Sequence, residues 1–144
     1  MVGNRRQARE SALSYLYQWD TKVVTSTDQI HRFAGYFDIQ PSFKDYFEKL
    51  ASGVTENAKT LDTEIEAAAE NWSLYRMSKI DRNILRMGCF ELKFCPETSA
   101  PIILDEAIEL AKTYGSQDSA SFVNGILDRL AKKIRAAEPR ADVS

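Results

Sequence analysis

The chain has 144 residues, 44% of them apolar and 28% charged, with a net charge of −2. That is enough to bury the core of one domain, or of two small halves sharing a core, and too little cationic excess for an indiscriminate polyanion binder. No run nears the ~18 apolar residues of a membrane span, and the basic start has no apolar stretch behind it, so a cytoplasmic protein without a secretory signal is expected.

Apolar spacing is helical nearly everywhere, which predicts an all-α fold. Asn4 is placed to cap a first helix through about Trp19, with Ala8, Ala12, Leu13 and Leu16 inward and Tyr15 and Tyr17 off that stripe. A second helix is expected after the caps Ser26, Thr27 and Asp28, with Ile30, Phe33, Ala34 and Phe37 on one face. Pro41 opens the longest periodic segment. There Phe43, Phe47, Leu50, Val54, Ala58, Leu61, Ile65, Ala68 and Trp72 alternate steps of four and three, predicting one helix of about eight turns.

Ser78 with Asp81 resembles a capping box that opens a fourth helix, carrying Ile80, Ile84, Leu85, Met87, Gly88 and Leu92 and closed by Pro96. Pro101 sits in the first turn of a fifth, with Ile103, Leu104, Ala107, Ile108, Ala111 and Tyr114 inward and Gly115 as a left-handed stop. Asp118 or Ser116 caps the last helix, striped by Phe122, Val123, Ile126, Leu127, Leu130 and Ile134. The natural division falls between Trp72 and Ser78, giving halves of about 4–72 and 78–137. Gly35, Gly53, Gly88 and Gly125 lie inside helices, where each costs about 1 kcal/mol against alanine. Tight helix crossings would offset that cost.

Little in the sequence suggests catalysis. His31 is the one histidine and has no evident partner, no Gly-rich phosphate loop joins a strand to a helix, and Asp105, Glu106 and Glu109 suit the dipole of an early helical turn. Cys89 and Cys95 lack the spacing of a zinc or redox pair and read as buried side chains. No catalytic residue, metal or cofactor is expected. The remaining constellation is cationic and aromatic. Arg5, Arg6 and Arg9 crowd one end of the first helix, and Arg129, Lys132, Lys133 and Arg135 make the C-terminal end basic. Between them Glu56, Asp62, Glu64, Glu66 and Glu70 should repel RNA. Guanidinium groups grip phosphates and aromatic rings carry unpaired bases, but a solvated basic turn with rim tyrosines has the same pattern. Three phosphate contacts give a salt slope of only about −2 on single strands, so other surfaces or a partner must contribute.

Two blocks carry a resemblance. Residues 5–19, RRQARESALSYLYQW, resemble the arginine-rich first helix of the NusB family, and residues 105–130, DEAIELAKTYGSQDSASFVNGILDRL, resemble its C-terminal signature. KIDRNILRMGCFEL, residues 79–92, matches the helix between them. The resemblance implies the NusB-like fold, two small helical bundles packed together with about six to seven helices in all. It further implies a transcription antitermination factor that binds boxA RNA of ribosomal RNA leaders jointly with the ribosomal protein NusE, within an RNA polymerase antitermination complex. Family RNA recognition carries over onto Arg5, Arg6, Arg9, Tyr114, Asp118, Ser119 and Phe122; Tyr114 and Phe122 fit core stripes equally, and Asp118 fits a cap. Partner binding carries over onto Tyr17 and Asp81. A homodimer that hides the first helix is compatible with this pattern.

Two rival readings remain. A NusB-like domain also precedes the catalytic domain of some ribosomal RNA cytosine methyltransferases, although this chain shows no cofactor-binding sheet or Cys-centred motif and ends soon for such an enzyme. A helical interaction protein that binds no RNA is the other.

Overall fold

The computed structural model describes residues 2–21, 30, 33, 34, 40–70 and 72–136, with side chains from Arg5 onward. Among these residues the chain forms helices α1 (Val2–Asp20), α2 (Pro41–Glu56), α3 (Ala58–Ala69), a 3-10 turn (Leu74–Arg76), α4 (Lys79–Phe94), α5 (Ala100–Tyr114) and α6 (Ser119–Ile134), with no strand. The helix expected over residues 26–37 lies mostly outside the described residues, as do its caps, His31 and Phe37. Its Ile30, Phe33 and Ala34 are helical and buried. No described helix is long and apolar enough to cross a membrane.

The chain divides into two compact units, Met1–Ala58 and Lys59–Ser144. In the first, α1 packs on α2. Helix α1 begins at Val2, so Asn4 lies within the first turn instead of capping it. Ala8, Ala12, Leu13 and Leu16 are buried as expected. Tyr15 corrects its assignment as an off-stripe ring: it is 1% exposed. It meets Phe33 and Phe47 edge-on at 5.4 and 6.3 Å, while those two rings stack at 5.5 Å. Each such pair adds about 0.5–1.5 kcal/mol beyond area burial. Burial also pushes the Tyr15 phenol pKa upward.

Pro41 stands in the first turn of α2, whose Phe43, Phe47, Leu50 and Val54 are buried. The single helix expected from Pro41 to Trp72 is broken at Asn57, where φ is −110° and ψ is 14°. The Asn57 backbone N–H and side-chain Nδ2 both donate to the Gly53 carbonyl, at 3.1 and 2.7 Å. An asparagine amide that competes for a main-chain acceptor offers the backbone an alternative to continued helix.

In the second unit α4 is the central element. It packs on α5 and α6, which also pack on each other. Ser78 caps it, its Oγ accepting from the Asp81 N–H at 3.1 Å, and every residue from Asp81 to Leu92 is buried. Burying the polar ones requires partners. Arg86 donates to both carboxylate oxygens of Asp62 at 2.8 and 3.0 Å and to Asn83 Oδ1 at 3.0 Å. Lys93 pairs with Glu64, and Glu66 accepts the Leu74 N–H at 2.7 Å. Three of the acids expected to repel RNA are therefore occupied in joining α3 to α4 and to the 3-10 turn. These pairings also explain why the first unit ends at Ala58, earlier than the division expected near Trp72.

Gly88 stands at a close crossing. A Cβ on Gly88 would stand 2.8 and 2.9 Å from the two Leu127 methyl carbons, so an alanine there would force the Leu127 side chain of α6 to shift. Gly125 faces open space and serves no such crossing. At the far end of the unit Arg135 donates to the carbonyls of Leu92, Glu91 and Cys95 at 3.0, 3.1 and 2.9 Å, and also to that of Thr98. A side chain beyond α6 thus adds to the backbone bonds that Cys95 N–H gives Glu91 and Thr98 N–H gives Cys95 in closing the end of α4. Cys89 and Cys95 are both buried. Burial, with the Glu64 and Asp62 carboxylates adding to it and Lys93 opposing, raises the Cys89 pKa to about 12.

Candidate nucleic-acid interface

The three arginines of α1 occupy different environments. Arg6 is exposed, Arg5 is partly covered, and Arg9 is 3% exposed. The Arg5 guanidinium lies 4.4 Å from the centroid of the Tyr46 ring, Arg9 lies 5.7 Å from it, and the Lys49 ammonium 5.9 Å. One ring from α2 thus gathers three cations, each held by the negative face of its π-system. Arg9 is consequently a packed residue, and Arg6 with Arg5 makes the accessible cationic end. Tyr17 is 42% exposed on the same helix.

The α5–α6 turn brings together the other residues named from the sequence. Tyr114 is 46% exposed, which corrects its placement on the inner stripe of α5. Gly115 has φ −94° and ψ −169°, an extended conformation rather than the left-handed stop expected. It is glycine for lack of space: a Cβ would stand 2.6 Å from Ser119 Cβ and 2.8 Å from the Ala111 carbonyl oxygen. Ser119 is 1% exposed and its Oγ accepts the Ser116 N–H at 2.9 Å. Ser119 therefore tightens the turn from within. Asp118 occupies the N-cap position of α6 but makes no capping hydrogen bond, and it is exposed.

Phe122 is half-buried and meets Trp72 in a T-shaped contact at 5.8 Å. The Arg76 guanidinium lies 5.2 Å over the Trp72 ring, and Trp72 remains 45% exposed despite both neighbours. Sequence reasoning placed Trp72 on a core stripe and did not single out Tyr46 or Arg76. The usable signal was that Trp72 and Arg76 flank the break between α3 and α4, where rings gain no cover from a continuing helix.

Asp81 is 9% exposed, and its Oδ1 is buried with no hydrogen-bond partner among the described residues. An unsatisfied buried acceptor costs about 1–3 kcal/mol. The basic C-terminal end contributes less than its charge count implied. Arg135 holds the α4 terminus, Arg129 Nε donates to the Ala68 carbonyl at 2.8 Å, and Lys132 pairs with Asp128 at 3.0 Å. Among the described residues no cluster of metal-ligating side chains is present.

Residues 6–132 match the NusB family. The transcription antitermination protein NusB of Anaeromyxobacter dehalogenans is 41% identical over 138 residues, covering 95% of this chain and 96% of that protein. A crystal form of T. maritima NusB superposes with a TM-score of 0.81 at 34% identity, over 90% of this chain and 91% of its own. A chain from the crystal structure of antitermination factors NusB and NusE in complex with dsRNA superposes with a TM-score of 0.82 at 26% identity, over 92% of this chain and 99% of that one.

Proposed function

The chain belongs to the NusB family, and from that premise we propose that it is a transcription antitermination factor whose work is binding: it takes up boxA RNA of ribosomal RNA leaders jointly with NusE. The observation that carries this is its likeness, over nearly all of its length, to a NusB captured with NusE and dsRNA. Residues 1–144 act as one NusB-like domain in the cytoplasm, within the antitermination complex of RNA polymerase, and catalyse no reaction.

The local geometry supports distinct roles. Arg6 and Arg5 supply phosphate contacts, with Tyr46 fixing the Arg5 side chain in advance and so lowering the entropy lost on binding. Arg9 braces Tyr46 from the buried side. Tyr114, Asp118 and Phe122 present the second RNA-facing set, on a turn that Ser119 holds in shape. Tyr17 and Asp81 face NusE, a basic partner offsetting the Asp81 charge.

Filter binding of the chain with NusE to boxA and scrambled RNA, across a salt series, tests the RNA role. The Arg5→Ala/Arg6→Ala double variant is expected to flatten the salt slope by about 1.4, two single-strand contacts' worth. Equal binding of both RNAs by both proteins would remove the RNA assignment. Calorimetry of Asp81→Lys with NusE tests the partner contact; an unchanged affinity takes Asp81 out of it.

A further inference from the structure

Trp72 has no role in the binding surface described so far, and its surroundings suit one. The chain leaves α3 through Glu70, whose φ of 61° places a non-glycine residue in the left-handed region. It is then held by the Glu66 carboxylate, which accepts the Leu74 N–H at 2.7 Å. That hydrogen bond fastens the chain two residues beyond Trp72, which lowers the ordering cost of presenting the ring to a ligand. Trp72 is 45% exposed, and its neighbours include an aromatic ring at 5.8 Å and a guanidinium at 5.2 Å. Arg76 over the indole places a positive charge where a nucleotide's phosphate would pass, and Phe122 belongs to the surface already assigned to RNA.

We infer that Trp72 is a base-stacking residue: its open side receives one unpaired nucleobase of single-stranded RNA, with Arg76 contacting the adjoining phosphate. This rests on the RNA-binding role proposed above and extends it to a segment that the arginine helix and the α5–α6 turn do not include. Stacking requires no particular base, so the site adds affinity for an unpaired nucleotide and little sequence preference.

The protein has two tryptophans, Trp19 and Trp72, so a Trp19→Phe chain reports on Trp72 alone. Titrating that full-length chain, saturated with NusE, with a short single-stranded boxA RNA is expected to quench its fluorescence. Trp72→Ala is expected to weaken RNA binding about 5- to 100-fold, the range for loss of one base–aromatic stack. Trp72→Phe, which keeps a ring, should recover much of it, and NusE affinity should be unchanged in both. If wild type binds the RNA while Trp72→Ala binds equally well and the Trp72 signal does not respond, Trp72 stacks no base and the RNA-binding role stands without it. A Trp72→Ala loss confined to NusE affinity also overturns the inference, assigning the ring to a protein contact. If wild type with NusE binds no RNA, the broader role fails and this inference fails with it.

Discussion

Replacing Gly88 and Gly125 by alanine, one at a time, should move stability in opposite directions. Both lie inside helices, where alanine gains about 1 kcal/mol over glycine from backbone entropy. At Gly125 nothing stands within 4 Å of the added Cβ, so the gain should appear nearly whole. At Gly88 the Cβ falls 2.8 and 2.9 Å from the Leu127 methyl carbons, against about 3.5–4.0 Å for relaxed carbon contacts. Leu127 is fully buried, so its side chain can make room only by shifting within the core. Overpacking of that kind costs about 1–3 kcal/mol, leaving a net loss of up to about 2 kcal/mol after the helix gain.

Urea unfolding followed by far-ultraviolet circular dichroism reads this directly. With a slope of about 2 kcal/mol per molar urea, the Gly88→Ala midpoint should fall by up to about 1 M while that of Gly125→Ala rises. The mechanism has its own signature. Leu127→Ala alone should cost about 2–5 kcal/mol, yet Gly88→Ala in that background should cost nothing or restore stability, because the new methyl enters the cavity. Costs that add to within about 0.5 kcal/mol would show that Leu127 is not what Gly88 makes room for. A stabilised Gly88→Ala would refute the close crossing itself.

Removing Asp62 should strand the buried Arg86 guanidinium at a cost of about 3 kcal/mol. With an unfolding entropy of about 2.1 cal/mol/K per residue, Asp62→Ala should melt about 10 °C lower by calorimetry, and an unchanged melting point would contradict the pairing. Arg6→Ala and Arg9→Ala should separate cleanly. The first should weaken RNA binding without moving the urea midpoint; the second should lower the midpoint through lost packing on Tyr46, and the reverse pattern would exchange their roles. The raised Cys89 pKa means its stabilising contribution is complete below the unfolded value of 9.0 and is lost as pH rises from there through about 12. At about pH 8, Ellman's reagent should reach it only as the chain unfolds, and rapid labelling of native Cys89, located by mass spectrometry, would show the thiol is not sealed.

The elements most legible in the sequence were those whose signal is local. Pro41, Ser78 and Pro101 each stand where helix-start chemistry placed them, and the stripe Phe43, Phe47, Leu50, Val54 is buried throughout. The break at Asn57 was hidden because apolar spacing runs unbroken through Val54, Ala58 and Leu61; periodicity records which side faces inward, and a single residue leaving helical geometry barely disturbs it. Tyr15 and Arg9 were misjudged for another reason. Their cover comes from Phe33, Phe47 and Tyr46, on segments far along the chain, so nothing on their own helix reveals it. The acids of α3 posed the same problem: a run of negative charge looks solvated until Arg86 and Lys93 are seen opposite it. At the interface, residue types narrowed the choice to an RNA-facing surface, but which arginine is accessible and where Trp72 stands are settled by tertiary packing.

The grip of Arg135 on the end of α4 has a consequence for synthesis. The carbonyls of Glu91, Leu92, Cys95 and Thr98 wait for a side chain 37 to 44 residues further along the chain. At translation speeds of about 5–20 residues per second, that interval is roughly 2–9 seconds. During it the end of α4 is held only by its own backbone bonds, from Cys95 N–H to Glu91 and from Thr98 N–H to Cys95. The second unit can therefore lock only when its final helix has been delivered. A chain stopped at Ile134 should show fast amide exchange in the α4–α5 connection while the Tyr15 cluster stays protected.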